Sequence, residues 1–215
     1  REAGVRGGTH GVQPPAGDGG TSTQHNPSHL YSAPGTYNVT LVITSSQGCS
    51  DTITKSVTIL PSPTVSAGNG AAICQGDTNP VQLQASGAIS YLWTPAATLS
   101  CTTCPNPQAT PTATTTYTVV GTGANGCTDT AQVTISVNPL PIINTGADPT
   151  ICAGAPVQLA VTGAATYSWS PVTGLSCTTC PNPVASPAAT TTYVVTGTTA
   201  AGCSDTAHVT VNVVN

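Results

Sequence analysis

The chain has 215 residues, and only 5 % are charged, three Lys or Arg and seven Asp or Glu, where about 25 % is usual. So few Lys and Glu cannot dress the exposed faces of helices, which argues against a helical bundle or a coiled coil. A net charge of −4 without any basic run speaks against nucleic acid and anionic membranes as partners, and no apolar stretch reaches the length of a membrane-spanning helix.

Taken in chain order, the sequence opens at Arg1 with no apolar core behind it, so no signal peptide is visible; a processed or excised piece of a longer protein is expected. Residues 1–16 are Gly-rich and poorly patterned. The first strand signals are Tyr37-Asn-Val-Thr-Leu-Val-Ile43 and Lys55-Ser-Val-Thr-Ile59, which flank a turn at Ser46-Gln-Gly-Cys49. Proline then clusters at Leu60-Pro-Ser-Pro63 and again at Asn138-Pro-Leu-Pro141. Because Pro fixes φ and holds its neighbour extended, both clusters read as short, semi-rigid linkers. They divide the chain into 1–61, 62–139 and 140–215, and units so joined are expected to form an extended rod.

The second and third units repeat each other. Val81–Asn138 aligns without a gap on Val157–Val214, at an offset of 157 − 81 = 76 residues. Leu99-Ser-Cys-Thr-Thr-Cys-Pro-Asn-Pro107 falls on Leu175-Ser-Cys-Thr-Thr-Cys-Pro-Asn-Pro183, and Thr114-Thr-Thr-Tyr117 falls on Thr190-Thr-Thr-Tyr193. Within each, Val81-Gln-Leu-Gln-Ala85 and Val157-Gln-Leu-Ala-Val161 alternate as half-buried strands. Strands at Ser90-Tyr-Leu-Trp93 and Thr166-Tyr-Ser-Trp169 each carry the unit's one Trp. Thr115–Val120 and Ala131–Val137 flank Gly123-Ala-Asn-Gly126, a hairpin signal. All three units close on a hairpin reading Gly-Cys-(Ser/Thr)-Asp-Thr. The fold class expected is all-β, as tandem antiparallel immunoglobulin-like sandwiches.

Eight of the nine cysteines form two matching sets, Cys74, Cys101, Cys104, Cys127 and Cys152, Cys177, Cys180, Cys203. Units of this size bury a small core and gain from staples. Among the three pairings open to four cysteines, the favoured one joins Cys101–Cys104 and Cys177–Cys180 as local loops. Cys74–Cys127 and Cys152–Cys203 would then span each unit. A four-cysteine zinc site and a thioredoxin-like redox pair are the alternatives, although zinc sites of that kind bring two CxxC pairs and the redox pair needs a helix start. Oxidised cysteines place the chain outside the cytoplasm, at a cell surface or secreted. Cys49, whose unit has no second cysteine, is either a free thiol or one half of an intermolecular bond.

Gly17-Asp-Gly-Gly-Thr-Ser-Thr-Gln-His-Asn-Pro-Ser-His-Leu-Tyr31, followed by Pro34-Gly-Thr-Tyr-Asn-Val-Thr-Leu-Val-Ile43, resembles the latter part of a PKD domain over residues 17–60. It departs from that family at Pro14-Pro-Ala16, where a Trp-Asp-Phe motif belongs. Residues 63–215 resemble the tandem Ig-like repeats of large secreted surface proteins of Bacteroidetes-type bacteria, with their Tyr-x-Trp-x-Pro, Leu-Ser-Cys-x-x-Cys and Thr-Thr-Tyr signatures. The resemblance implies an extracellular structural or adhesive protein exported by a type IX-like route. It also implies O-linked sugars at Asp-(Ser/Thr)-apolar sites, here Thr52, Thr130 and Thr206; the same Asp-Thr pairs also serve to shape turns.

No catalytic arrangement emerges, and neither a metal nor a cofactor is expected. The acids, Glu2, Asp18, Asp51, Asp77, Asp129, Asp148 and Asp205, are scattered singly. His10, His25 and His29 could gather a metal, but His29 stands where the PKD motif places a polar residue beside Tyr31, and a structural role is favoured. Asp18 alone is too few oxygens for calcium. Trp93 and Trp169 read as core pins rather than sugar platforms. Besides the structural or adhesive module, two functions are carried: a self-assembling filament subunit, and a carbohydrate-binding segment of a secreted hydrolase. The possible partners are surface glycans and further copies of the chain, since a PKD match of 60 − 17 + 1 = 44 residues leaves a sandwich incomplete. Strand addition by a neighbour could complete it, with Cys49 placed to lock the contact.

Overall fold

Thr, Val and Ile alternate through the chain with Gly and Pro between the runs, and the structure follows that punctuation. A computed structural model describes residues 10–13, 20–22, 24 and 27–214, and its regular elements are all strands. They form two compact units. The first runs up to Val65 and includes the loop segments Gly87–Ser90 and Val120–Thr130; the second takes Ser66–Ser86, Tyr91–Val119 and Ala131–Asn215.

In the first unit, β1 (His10–Gln13), β2 (Gly35–Thr44) and β3 (Ser50–Ile59) make one antiparallel sheet in the order β1-β2-β3. The register pairs Tyr37 with Val57 and Leu41 with Ile53 on one face, which also carries Val39 opposite Lys55 and Ile43 opposite Asp51. The other face carries threonine pairs, Thr36–Thr58 at 3.2 Å and Thr40–Thr54 at 2.9 Å between hydroxyls. No described residue of these strands is fully buried; Ile53 keeps 53 % of its surface exposed. The strands come where the pattern places them, and β1 lies inside the segment that reads as unpatterned.

Each repeat is a sandwich of a four-stranded and a two-stranded sheet. In the first, β4 (Ala71–Cys74), β5 (Val81–Gln82), β6 (Ser90–Thr94), β7 (Gln108–Ala109), β8 (Thr115–Thr122) and β9 (Thr128–Asn138) form sheets β4-β9-β8-β6 and β5-β7. In the second, β10 (Thr150–Cys152), β11 (Val157–Gln158), β12 (Thr166–Ser170), β13 (Val184–Ala185), β14 (Thr191–Thr198) and β15 (Ser204–Val214) form β10-β15-β14-β12 and β11-β13. The large sheets are mixed rather than wholly antiparallel, because β4 lies parallel to β9 and β10 parallel to β15.

The core sits between the sheets. The second repeat buries Leu159, Val161, Trp169, Ala185, Tyr193, Val195, Val209 and Val211 together. Every one has its counterpart 76 residues earlier: Leu83, Ala85, Trp93, Ala109, Tyr117, Val119, Val133 and Ile135 are buried too. The expected strand at Val81–Ala85 is shorter than its pattern, with a physical cause. Past Gln82, the N–H groups of Leu83 and Ala85 donate to the carbonyls of Pro107 and Pro105, at 2.9 and 2.7 Å, and prolines have no N–H to return.

Each linker is pinned at its far end. Ser66 bridges Ser86, and Asn144 bridges Thr162. The glycine after each bridge, Gly87 (φ +90°) and Gly163 (φ +103°), has left-handed backbone. A β-carbon there would overlap the carbonyl of Thr64 or Ile142, so only glycine lets the linker lie so close.

Candidate functional site

The CxxC loops are built around the tryptophans. Trp93 and Trp169 are 0 % and 2 % exposed, and a buried indole needs a partner for its N–H. Trp93 Nε1 donates to the Cys104 carbonyl at 3.1 Å, and Trp169 Nε1 to the Cys180 carbonyl at 3.0 Å. Cys101–Cys104 and Cys177–Cys180 are bonded, closing the loop that supplies those carbonyls. Gln82 and Gln158 hold the same loop from below, through the carbonyls of Asn106 at 2.7 Å and Asn182 at 2.5 Å. Tyr117 hydrogen-bonds the Thr98 hydroxyl, while Tyr193 donates to the Thr173 carbonyl at 3.0 Å; burial pushes the Tyr193 phenol up in pKa. The two tryptophans and the two tyrosines are core residues, so these four rings offer no stacking platform to a sugar.

The long disulfides differ from the expectation. Cys74 is bonded to Cys203 of the other repeat, with Cα atoms 5.5 Å apart, while Cys127 and Cys152 are free. The cause is strand length. Cys152 is paired with Val214 at the end of β15, and Cys203 immediately precedes the start of that strand at Ser204. Eleven residues of strand span about 35 Å, whereas a disulfide needs Cα atoms within about 7 Å. Cys74, paired with Asn138 at the end of β9, and Cys127, just before Thr128, are separated in the same way. The pairing across repeats also removes the four-cysteine zinc arrangement, since the outer cysteines of a repeat never meet its CxxC pair. The redox alternative has no helix start to lean on among the described residues.

The junction around Cys74–Cys203 is tight. Cys203 is 1 % exposed and its sulfur lies 4.0 Å from the Asn138 carbonyl, which also accepts the Gln75 N–H at 2.8 Å. The end of the first repeat, the linker and the hairpin tip of the second thus meet at one point. The corresponding tip of the first repeat is held without a covalent bond. Asn125 Nδ2 donates to the Pro61 carbonyl at 2.8 Å, and the Asp129 carboxylate accepts the Val65 N–H at 3.0 Å. The Val65 and Thr130 N–H groups hold the Asp129 carboxyl below the usual carboxylate range. Neither Asn125 nor Asp129 was distinguishable by sequence as a linker clamp; the only signal is their place within a hairpin tip next to Pro61 in no obvious register.

Of the other expected residues, Thr52, Thr130 and Thr206 are all exposed. Asp51 and Asp205 accept the N–H of Thr52 and Thr206, each at 2.8 Å, within the first residues of β3 and β15. Cys49 is exposed at the tip between β2 and β3. His29 packs edge-on against Tyr31, with ring centroids 4.7 Å apart, and Tyr31 stacks on Tyr37 at 4.2 Å. Asp18, His25 and Glu2 lie outside the described residues, as does the side chain of His10. Among the described residues no three of His, Cys, Asp and Glu gather as a metal ion would need, and no helix is long and apolar enough to cross a membrane.

Residues 7–59 match the family model of the PKD domain. No curated protein matches the chain. Among solved structures it is similar to the titin domains I67–I69, in an E-to-A mutated variant, at 11 % identity and a TM-score of 0.44, covering 85 % of this chain and 75 % of that one. It is also similar to DIP-gamma IG1+IG2, at 12 % identity and a TM-score of 0.40, covering 72 % and 99 %. For Drosophila N-cadherin EC1-4 the identity is 12 % and the TM-score 0.36, covering 96 % and 67 %. The PKD match begins 17 − 7 = 10 residues before Gly17, so it takes in β1.

Proposed function

We propose that the chain is a non-catalytic, load-bearing segment of a multi-domain extracellular protein, structural or adhesive in role. The observation that supports this most is the Cys74–Cys203 bond. A disulfide inside one sandwich would stabilise that sandwich alone, whereas this one ties the base of one repeat to the hairpin tip of the next. A chain pulled from its ends would transmit force through the bond and leave the 129 residues of separation between the two cysteines out of the load path. The Cys74–Cys203 bond and the two bonded CxxC loops are consistent with an oxidising, extracellular compartment. Burial of both tryptophans removes them as sugar-stacking platforms and so weakens the carbohydrate-binding reading.

Single-molecule pulling between the chain ends tests the load-bearing role. With the bond intact, the enclosed residues stay out of the final extension; reduction should add about 450 Å, at about 3.5 Å per residue. An unfolded length indifferent to reductant would contradict the proposal.

A further inference from the structure

Two exposed cysteines, Cys49 and Cys152, each reproduce one half of the Cys74–Cys203 bond. Cys152 has the setting of Cys74. Both end a short strand parallel to the last residues of a long one, Cys74 beside Asn138 and Cys152 beside Val214. Both open a turn whose fourth residue donates its N–H back to the cysteine carbonyl at 3.0 Å, from Asp77 and from Ala155. Both turns have a left-handed glycine in third place, Gly76 (φ +83°) and Gly154 (φ +73°).

Cys49 has the setting of Cys203. Gly48-Cys-Ser-Asp-Thr52 is identical to Gly202-Cys-Ser-Asp-Thr206, and the hydrogen bonds agree one for one. The carbonyls of Cys49 and Cys203 accept the N–H of Ser45 and Thr199 at 2.8 Å, and Gly48 and Gly202 donate to the same two residues at 3.0 Å. Their own N–H groups donate to the hydroxyls of Ser45 at 3.2 Å and Thr199 at 3.1 Å. The Cys127 tip differs. It reads Gly-Cys-Thr-Asp-Thr, its cysteine N–H is capped by the Asn125 carboxamide at 3.1 Å, and its Asn125 and Asp129 are engaged by Pro61 and Val65. Of the two unpaired tips, Cys49 is therefore the copy of the one already bonded, and it is the exposed one.

We infer that Cys152 of one copy of this chain bonds Cys49 of a second copy, reproducing the Cys74–Cys203 junction between molecules. The two halves are different residues of the chain, so a bond between copies is heterologous and joins them head to tail. In the presence of a small-molecule disulfide such as oxidised glutathione, the Cys152 thiolate attacks one glutathione sulfur and releases one glutathione thiolate. The Cys49 thiolate then attacks the Cys152 sulfur of that mixed disulfide and releases the second. Two protein thiols are oxidised, one glutathione disulfide is reduced to two thiols, and the protons of the protein thiols leave with them. The inference shares with the functional reading only the oxidising surroundings, which the experiment itself supplies.

The full chain, incubated in a glutathione redox buffer and run on a non-reducing gel, should give a ladder of covalent oligomers that collapses with reductant. Cleavage before Asp should then join fragment 18–50 to fragment 148–204. Cys49→Ser and Cys152→Ser should each abolish the ladder, an equimolar mixture of those two variants should stop at dimers, and Cys127→Ser should leave the ladder intact. A chain that stays monomeric with both thiols open to alkylation overturns the inference. So do cross-links distributed indifferently among Cys49, Cys127 and Cys152.

Discussion

At Asp129 one carboxylate does what a disulfide does at the next junction. It accepts the Val65 N–H at 3.0 Å, and that bond with its Thr130 neighbour lowers its pKa. A folded value below the unfolded one contributes stability above the unfolded pKa, and that contribution is lost as pH falls through the folded pKa. The Val65 amide should therefore hold its hydrogen-bonded chemical shift from neutral pH down to about pH 4, and lose it on further acidification. An NMR titration in which Asp129 ionises in the ordinary range, with an indifferent Val65 amide, would contradict the assignment. Among single residues, Trp93 and Trp169 were legible in the sequence as core residues, because a Trp in the middle of an alternating strand has one place to go. Asn125 and Asp129 were not, because their partners on the linker are set by how the hairpin tip meets it and by no local pattern.

The strands themselves were largely legible, since period-two alternation bounded by Gly and Pro is a local signal. Pairing direction was not: β4 and β10 lie parallel to the ends of β9 and β15, and nothing in four apolar residues states which way a partner runs. That single ambiguity displaced the long disulfides, because a strand beside the far end of β9 puts its cysteine a strand's length from the hairpin tip. Burial separates the sheets as sharply. Leu159, 3 % exposed inside the core of the second repeat, should cost about 2–5 kcal/mol when replaced by Ala. Ile53, 53 % exposed on a sheet with no fully buried residue among those described, should change stability by less than about 0.5 kcal/mol when replaced by Ser. Denaturant melts of the two variants check this; equal losses would mean that the first sheet has a core of its own.

For the whole molecule, the 76-residue repeat carries more than a doubled fold. Because each repeat has one cysteine at its hairpin tip and another on the short strand beside the far end of the strand that leaves that tip, bonding within a repeat is geometrically closed and bonding to the next is open. Cys74–Cys203 is one such link, and Cys49 and Cys152 are the halves of further ones. Eight buried positions recurring at the same offset keep the two sandwiches alike, and the loop-entropy estimate for a closed loop of 129 residues gives the link about 5 kcal/mol. The most direct test is a disulfide map of the unreduced protein after cleavage before Asp, which yields fragments 51–76, 77–128 and 148–204 among others. The account predicts that 51–76, carrying Cys74, is joined to 148–204, carrying Cys203, and that the two separate on reduction. Finding 51–76 joined instead to 77–128 would place the Cys74 bond within one repeat and contradict it.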